Sequence, residues 1–318
     1  MKHYLPYLPA GLVLLASTNA MAGQYDNLFS TGVERITTSD NKTTHDSVSA
    51  QYKRVNRATG TSYGLRVEKH RFKNPQYRHT GRSVYLQGAT HLSPNIQLSA
   101  GAGSMEIKRV GNQYAKKTFT PYHVGLQAQM GSRVQVGVRQ ERSPAYMRHA
   151  LNDKKGNILT EDMTTAEIRT KPTQRTRFNA QHQNIRLSDG NRGRRTMVGA
   201  YYGITPNVWL GVEGSRKRYD RSDLGYKAPK NERNYAVTLD ADVPLGQNAK
   251  LYGSVKAGRS KEAGYSGKAK TLYASLGAEF AVGRNTTLSA NVYQDETRYQ
   301  GRRDRERGAM LNLTYRWG

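Results

Sequence analysis

The chain has 318 residues, 36% hydrophobic and 23% charged, and its 50 Lys and Arg against 24 Asp and Glu give a formal net charge of +26. Cysteine is absent, which excludes disulfide scaffolds, thiolate-held zinc or iron–sulfur sites and thiol catalysis. No apolar run long enough for a membrane helix follows residue 22, while 21 Tyr and 31 Gly beside 5 Phe and 2 Trp favour half-buried strands over a thick helical core.

Met1 to Ala22 reads as a secretory leader: Lys2 is the basic start, Leu5 to Ala16 the apolar stretch, and Ala20 and Ala22 the small residues before the cut. Cleavage after Ala22 leaves a mature chain, 23–318, that forms a single domain in or beyond the periplasm.

From residue 29 onward apolar and polar residues alternate in runs of about 10 to 13. Tyr63, Leu65 and Val67 form one apolar row; Tyr122, Val124, Leu126, Ala128 and Met130 another. Val134, Val136 and Val138, then Tyr235, Val237, Leu239, Ala241 and Val243, then Leu272, Ala274, Leu276, Ala278 and Phe280, repeat the pattern with polar or small residues between. Short turns such as Ser93-Pro94-Asn95, Gly131-Ser132, Thr205-Pro206-Asn207 and Gly246-Gln247-Asn248 alternate with longer charged segments at 71–82, 108–117, 220–233 and 299–307. Short periplasmic turns and longer outer loops are the asymmetry of bacterial outer-membrane barrels, which close because lipid offers an open sheet edge no hydrogen-bond partner.

The predicted fold is all-β, a closed antiparallel transmembrane β-barrel in the outer membrane of a Gram-negative bacterium. Strands are expected at 29–38, 44–55, 61–72, 81–92, 96–108, 117–130, 133–146 and 158–169, then at 174–187, 194–204, 208–219, 232–243, 249–260, 270–281, 286–298 and 306–317. Sixteen strands put both termini in the periplasm. The pair 158–169 and 174–187 alternates least cleanly, and without it fourteen strands and one outer loop of about fifty residues remain, longer than loops usually run. Ala309, Leu311, Leu313, Tyr315 and Trp317 alternate to the penultimate residue, as the last strand of an outer-membrane barrel does. Trp209, Tyr315 and Trp317 lie near periplasmic turns, where an interfacial aromatic girdle is expected.

Sixteen strands enclose more than side chains fill, so a water-filled lumen is expected. Alternation points Arg66, Arg133, Arg139, Lys217, Lys250, Lys256 and Arg316 inward. Such cations in a low-dielectric wall concentrate anions, and tyrosines beside them suit sugar rings. Much of the remaining charge, in Arg216-Lys217-Arg218, Arg302-Arg303 and Arg305-Glu306-Arg307, has an equal explanation in lipopolysaccharide phosphates at the outer leaflet. Nucleic acid is not an expected partner, because the aromatics are not clustered with the basic groups.

Glu141-Arg142-Ser143-Pro144, a strand pair and then Ser188-Asp189-Gly190-Asn191 before Arg192 resemble the C-terminal barrel of exopolysaccharide export porins of the poly-N-acetylglucosamine type, with a layout extending over 29–318. The same turn is also ordinary hairpin chemistry. The resemblance implies a sixteen-stranded conduit for a secreted glycan, usually preceded by a periplasmic helical-repeat scaffold. Either a separate periplasmic protein supplies that scaffold or the export role does not carry over. A partly deacetylated aminosugar polymer would be repelled by this charge, so an acidic glycan is the expected cargo.

Catalysis is not expected. His45-Asp46-Ser47 has the i, i+2 spacing of barrel lipases and acyltransferases, but the pair falls on the face opposite Val48, Ala50 and Tyr52. No HExxH, phosphate-binding loop or metal spacing occurs, Glu161-Asp162 reads as a solvated loop edge, and no cofactor or metal is expected. The rival functions are a general anion-selective porin, disfavoured because no outer loop is long enough to fold deeply inward, and an assembly or binding module with a periplasmic partner.

Overall fold

The computed structural model describes residues 25–38, 43–75, 77–111, 114–145, 156–222, 224, 226, 228–263, 267–299 and 302–318. The expected leader, 1–22, lies outside them. Sixteen strands occur among the described residues. The first half comprises β1 (Tyr25–Thr38), β2 (Thr44–Asn56), β3 (Ser62–Lys73), β4 (Tyr77–Ser93), β5 (Ile96–Gly111), β6 in two segments (Ala115–Phe119 and Tyr122–Met130), β7 (Val134–Pro144) and β8 (Thr160–Thr173). The second comprises β9 (Thr176–Leu187), β10 (Arg192–Thr205), β11 (Val208–Tyr219), β12 (Glu232–Leu245), β13 (Ala249–Glu262), β14 (Ala269–Ala281), β15 (Thr286–Tyr299) and β16 (Arg302–Trp317).

Each strand pairs antiparallel with its chain neighbour, and β1 pairs with β16 from Asn27↔Trp317 to Thr38↔Glu306, so no edge is left open. Closure is what hydrocarbon surroundings demand of a spanning sheet. Sixteen, not fourteen, is therefore the strand number: β8 and β9 are bonded from Leu187↔Glu161 to Thr176↔Thr173, with one irregularity between Thr176 and Phe178. The break in β6 falls at Thr120-Pro121, where proline brings no N–H to the ladder. The register runs on unchanged, Met105↔Phe119 before it and Ala102↔Tyr122 after, and the Pro121 carbonyl still accepts from the Gly103 N–H at 3.0 Å.

Several charged segments expected as outer loops are strand instead. β3 and β4 run on to Lys73 and back from Tyr77, and β16 begins at Arg302. Charge does not stop a strand once its outward face has left the hydrocarbon. The long outer connections are 145–159 and 220–231.

The outward face is apolar along the middle of the wall: Leu65, Val84, Val124, Val138, Val198, Val212, Val237, Leu276, Val292 and Leu311 are all exposed there. Near the periplasmic end Tyr315 stacks on Trp317 at 5.5 Å between centroids, and Tyr52 lies 6.2 Å from Trp317, an aromatic rim at the interface. Trp209 does not belong to it. It shares a face with Gly211 and Glu213 and points into the barrel, opposite to the girdle position expected from its place in the sequence.

The inward face explains the Tyr and Gly content. Tyr85, Tyr201, Tyr219, Tyr252 and Tyr293 sit directly across from Gly103, Gly211, Gly193, Gly277 and Gly308 on the adjacent strands. A Cβ on any of these glycines would come within 3.0 Å of the facing tyrosine. Each phenol thus lies flat on the backbone of the next strand, which buries its ring without projecting it into the lumen.

The seam between first and last strands is tied at the periplasmic rim. Asp26, 6% exposed, accepts from both Arg57 in the β2–β3 turn and Arg316 on β16, and Arg57 also donates to the Gly318 carbonyl at 3.3 Å.

Candidate functional site: the barrel lumen

The lumen has two unlike halves. Toward the periplasm lies a cavity of about 810 Å³, bounded by turn residues Ser132, Pro206 and Asn207 and by inward side chains of strands from β6 to β15. Six cations line it (Arg133, Arg169, Lys171, Arg177, Lys250 and Lys256) against three carboxylates, Glu213, Asp240 and Asp242. Most of these charges are paired. Lys256 Nζ donates to both Glu213 carboxylate oxygens at 2.8 and 2.9 Å, Arg177 reaches Asp240 at 3.0 Å and Lys250 reaches Asp242 at 2.9 Å. Arg133 and Lys171 have no carboxylate partner among the described residues; the Lys171 ammonium sits 5.8 Å from the centre of the Trp209 ring. The Arg177 guanidinium lies 4.6 Å from the ring centres of both Tyr201 and Trp209, cation–π contacts that fix the arginine. Tyr252 and Tyr273 complete the aromatic lining.

Of the seven inward cations expected from alternation, Arg133, Lys250 and Lys256 meet in this cavity. Arg66 and Arg139 stand elsewhere on the wall. Arg66 bonds Glu68 at 2.9 Å and Arg139 bonds Glu141 at 2.8 Å, on either side of the hydrogen-bonded Tyr85 and His123. Lys217 lies higher and is 9% exposed, 5.2 Å from the Tyr219 ring centre. Arg316 belongs to the seam at Asp26. Arg169, Lys171, Arg177 and the inward Trp209 were not among the expected lining residues. Glu167, Arg169 and Lys171 do alternate on one face, but only the pairing of β8 with β9 shows which face that is.

Toward the outside part of the lumen is taken up by apolar packing. Inward residues at the outer ends of two arcs of the wall are apolar: Phe72, Met105 and Ile107 on β3 and β5, and Met163, Ile185, Leu187 and Tyr219 on β8, β9 and β11. Ile158 packs against the first arc, and the next residue, Leu159, against the second. Both are buried, at 3% and 0% exposure, and hiding two such side chains is worth roughly 1.5–3 kcal/mol each. The segment is pinned by cations. Arg109 donates to the Gly156 carbonyl at 2.7 Å, and Lys117 Nζ donates to the Ile158 carbonyl at 2.9 Å, to Ser188 Oγ at 3.3 Å and to Thr160 Oγ1 at 3.4 Å. The described end of the 145–159 connection, residues 156–159, thus seats inward, contrary to the expectation that no outer loop does so. Two adjacent apolar residues suffice where the wall itself offers apolar surfaces to meet them.

The turn Ser188-Asp189-Gly190-Asn191 does more than close a hairpin. Gly190 takes the positive φ that the turn needs, +85°, while Ser188 anchors Thr160 and Lys117. Asp189 accepts from the Tyr226 hydroxyl at 2.6 Å, and the buried Asn191 amide donates to the same hydroxyl at 3.1 Å. Tyr226 comes from the 220–231 connection. Burial, with the Asp189 carboxylate beside it, holds its phenol above the ordinary range. Upstream, Arg142 clasps Asp162 at 2.7 and 3.0 Å and Ser143 donates to Glu161 at 3.4 Å.

His45 and Ser47 share the inward face but form no nucleophile–base pair. Ser47 donates to Glu34 at 3.3 Å, and His45 stacks on His70 at 5.6 Å. Among the described residues no group of three or more His, Cys, Asp or Glu could hold a metal ion.

A closed antiparallel wall with an apolar outer belt and a polar inner face defines an outer-membrane β-barrel, and the protein resides in the outer membrane of a Gram-negative bacterium. A family model described as an outer membrane protein beta-barrel domain matches residues 163–316. No curated protein sequence matches the chain. Among solved structures, a bacterial polysaccharide outer membrane secretin superposes with a TM-score of 0.70 at 14% identity, over 94% of this chain and 100% of that one. OccK11 (OpdR) of Pseudomonas aeruginosa gives 0.51 at 11% identity over 92% and 95%, and the CymD monoaromatic hydrocarbon channel 0.50 at 8% identity over 93% and 89%. At these identities the likeness is one of fold, the architecture of outer-membrane channels.

Proposed function

We propose that the barrel is a conduit for an anionic polysaccharide leaving the cell. The observation that carries this reading is the periplasmic cavity, in which cations outnumber carboxylates six to three beside Tyr201, Trp209, Tyr252 and Tyr273. An acidic glycan entering from the periplasm meets Arg133 and Lys171 first, neither engaged by a carboxylate. Its sugar faces then find flat aromatic surfaces. Because four of the six lining cations are already half-satisfied, by Glu213, Asp240, Asp242 and, at Arg169, Glu167, each contact is weak and exchangeable, and a chain slides only where no single site holds it. The structural likeness to a polysaccharide secretin agrees with this role, and a separate periplasmic helical-repeat protein would deliver the polymer.

The test is ion selectivity of the purified barrel in planar bilayers at low and high salt. Anion preference that fades as salt screens the wall, together with block by an acidic oligosaccharide and not by a neutral one, is the expected result. Cation preference, or indifference to acidic glycans, overturns the proposal. The seating of Ile158 and Leu159 across the outer lumen favours a second reading, a sealed barrel that serves as an assembly or binding module for a periplasmic partner. Absence of conductance under all conditions would select it. Block by acidic and neutral solutes alike would select a general porin.

A further inference from the structure

Above the apolar belt some outward cations are matched by carboxylates and others face one another. On the β1–β8 side Arg35 is matched with Asp46 at 3.5 Å, Lys108 and Lys116 with Glu106 at 2.9 and 2.6 Å, and Arg142 with Asp162, while on β3 and β4 the exposed Lys69 stands across from Arg82 and Lys73 across from Arg78. Within the β9–β16 strands the outward described residues include a single carboxylate, Glu296, which is taken up by Arg298, Arg303 and Arg305. Beyond it, cation faces cation from strand to strand. Arg194 stands directly across from Arg218, and Arg216 across from Arg233. Arg233 in turn faces Lys261, Arg259 faces Lys270, and Lys270 faces Arg298. All are exposed. The row steps two residues back toward the membrane on β11 and β13, as it must to stay level on tilted strands.

Like charges placed directly opposite are destabilising, and here they recur across six consecutive strands, β10 to β15. Five of them (Arg218, Arg233, Arg259, Lys261 and Lys270) have no carboxylate partner among the described residues. The same outward face turns apolar one to three steps below, at Leu272, Val212, Val237 and Val292. That boundary sets the row at the level where acyl chains give way to headgroups. We infer that this row, longer than the two facing pairs on β3 and β4, is a docking surface for the phosphorylated headgroups of an outer-leaflet lipid, lipid A phosphates. Guanidinium forks in register suit phosphate bidentately, and bound phosphates cancel the repulsion that the bare wall carries.

The experiment compares the wild-type barrel with Arg233→Gln/Arg259→Gln/Lys270→Gln in non-ionic detergent. Both are titrated with bis-phosphorylated lipid A and followed by native mass spectrometry and by unfolding temperature. The expected loss of lipid A affinity is about a hundredfold for the triple variant, at several-fold per juxtamembrane cation. Lipid A stripped of phosphate should bind both proteins equally weakly. Without lipid the triple variant should unfold no earlier than wild type, since repulsion has been relieved, and with lipid A the order should reverse. Equal lipid A affinities overturn the inference. So do retention of dephosphorylated lipid A by the wild type, displacement of lipid A by inorganic phosphate at equal concentration, and a triple variant that unfolds earlier in lipid-free detergent.

Discussion

Removing the Lys117 ammonium, in Lys117→Met, should release the segment that seats Ile158 and Leu159 inside the outer wall. Its Nζ reaches three oxygens from two outer connections and the head of β8, those of Ile158, Ser188 and Thr160. A hydrogen bond from a charged donor is worth about 1.5–3 kcal/mol net, and methionine keeps the stem's packing without the donor. A destabilisation of that size raises the population with Ile158 and Leu159 unseated roughly ten- to a hundredfold. In single-channel recordings it should appear as more frequent full openings at unchanged selectivity, because the periplasmic cavity is untouched. Lys116→Met is the control: its neighbour side chain points outward to Glu106 at 2.6 Å and should leave opening frequency as it is. Equal opening frequencies in wild type and Lys117→Met, or an equal rise in Lys116→Met, would refute the account of how the outer lumen is held.

Three further outcomes follow from the geometry. Gly277→Ala places a methyl where the Tyr252 ring lies and should cost about 1–3 kcal/mol by overpacking. Adding Tyr252→Ala should recover most of it, a coupling readable in a double-mutant cycle on unfolding of the barrel. Asp26→Asn leaves Arg57 and Arg316 without their shared carboxylate and should lower stability by about 1–3 kcal/mol, seen as earlier loss of the compact band on heating before electrophoresis; an unchanged transition would show that the seam needs no tie. Arg133→Glu/Lys171→Glu changes the cavity balance by four charges and should turn anion preference into cation preference in reversal-potential measurements.

Much of the fold lies open in the sequence because period-2 alternation survives wherever lipid faces one side. Val212, Val237 and Leu272 sit in runs that could be read only one way, and β11 to β15 follow. The errors cluster where lipid no longer enforces the pattern. Arg302 to Arg307 carries charge on both faces and reads as loop, yet its backbone pairs with β15 throughout and with β1 at Glu306 and Arg307. Trp209 illustrates a different blindness: an aromatic beside a turn fits a girdle until the partner strand fixes its side. Ion pairs between strand neighbours two residues apart, Arg66 with Glu68 and Arg139 with Glu141, are readable from spacing. Lys256 with Glu213 and Arg177 with Asp240 are 43 and 63 residues apart in the chain, and nothing local announces them. Asn157-Ile158-Leu159 looks like the start of a strand, since burial by distant walls leaves no period to detect.

The five facing pairs of tyrosine and glycine on the inner wall make the bore a property of couples and not of single residues. A tyrosine that loses its glycine has nowhere to lie and must stand out into the passage. A glycine that loses its tyrosine leaves bare backbone and a wider gap. Change at either position alone alters both calibre and stability, so this wall can drift in sequence only two positions at a time, and its smoothness outlasts changes in the charges set between the rings.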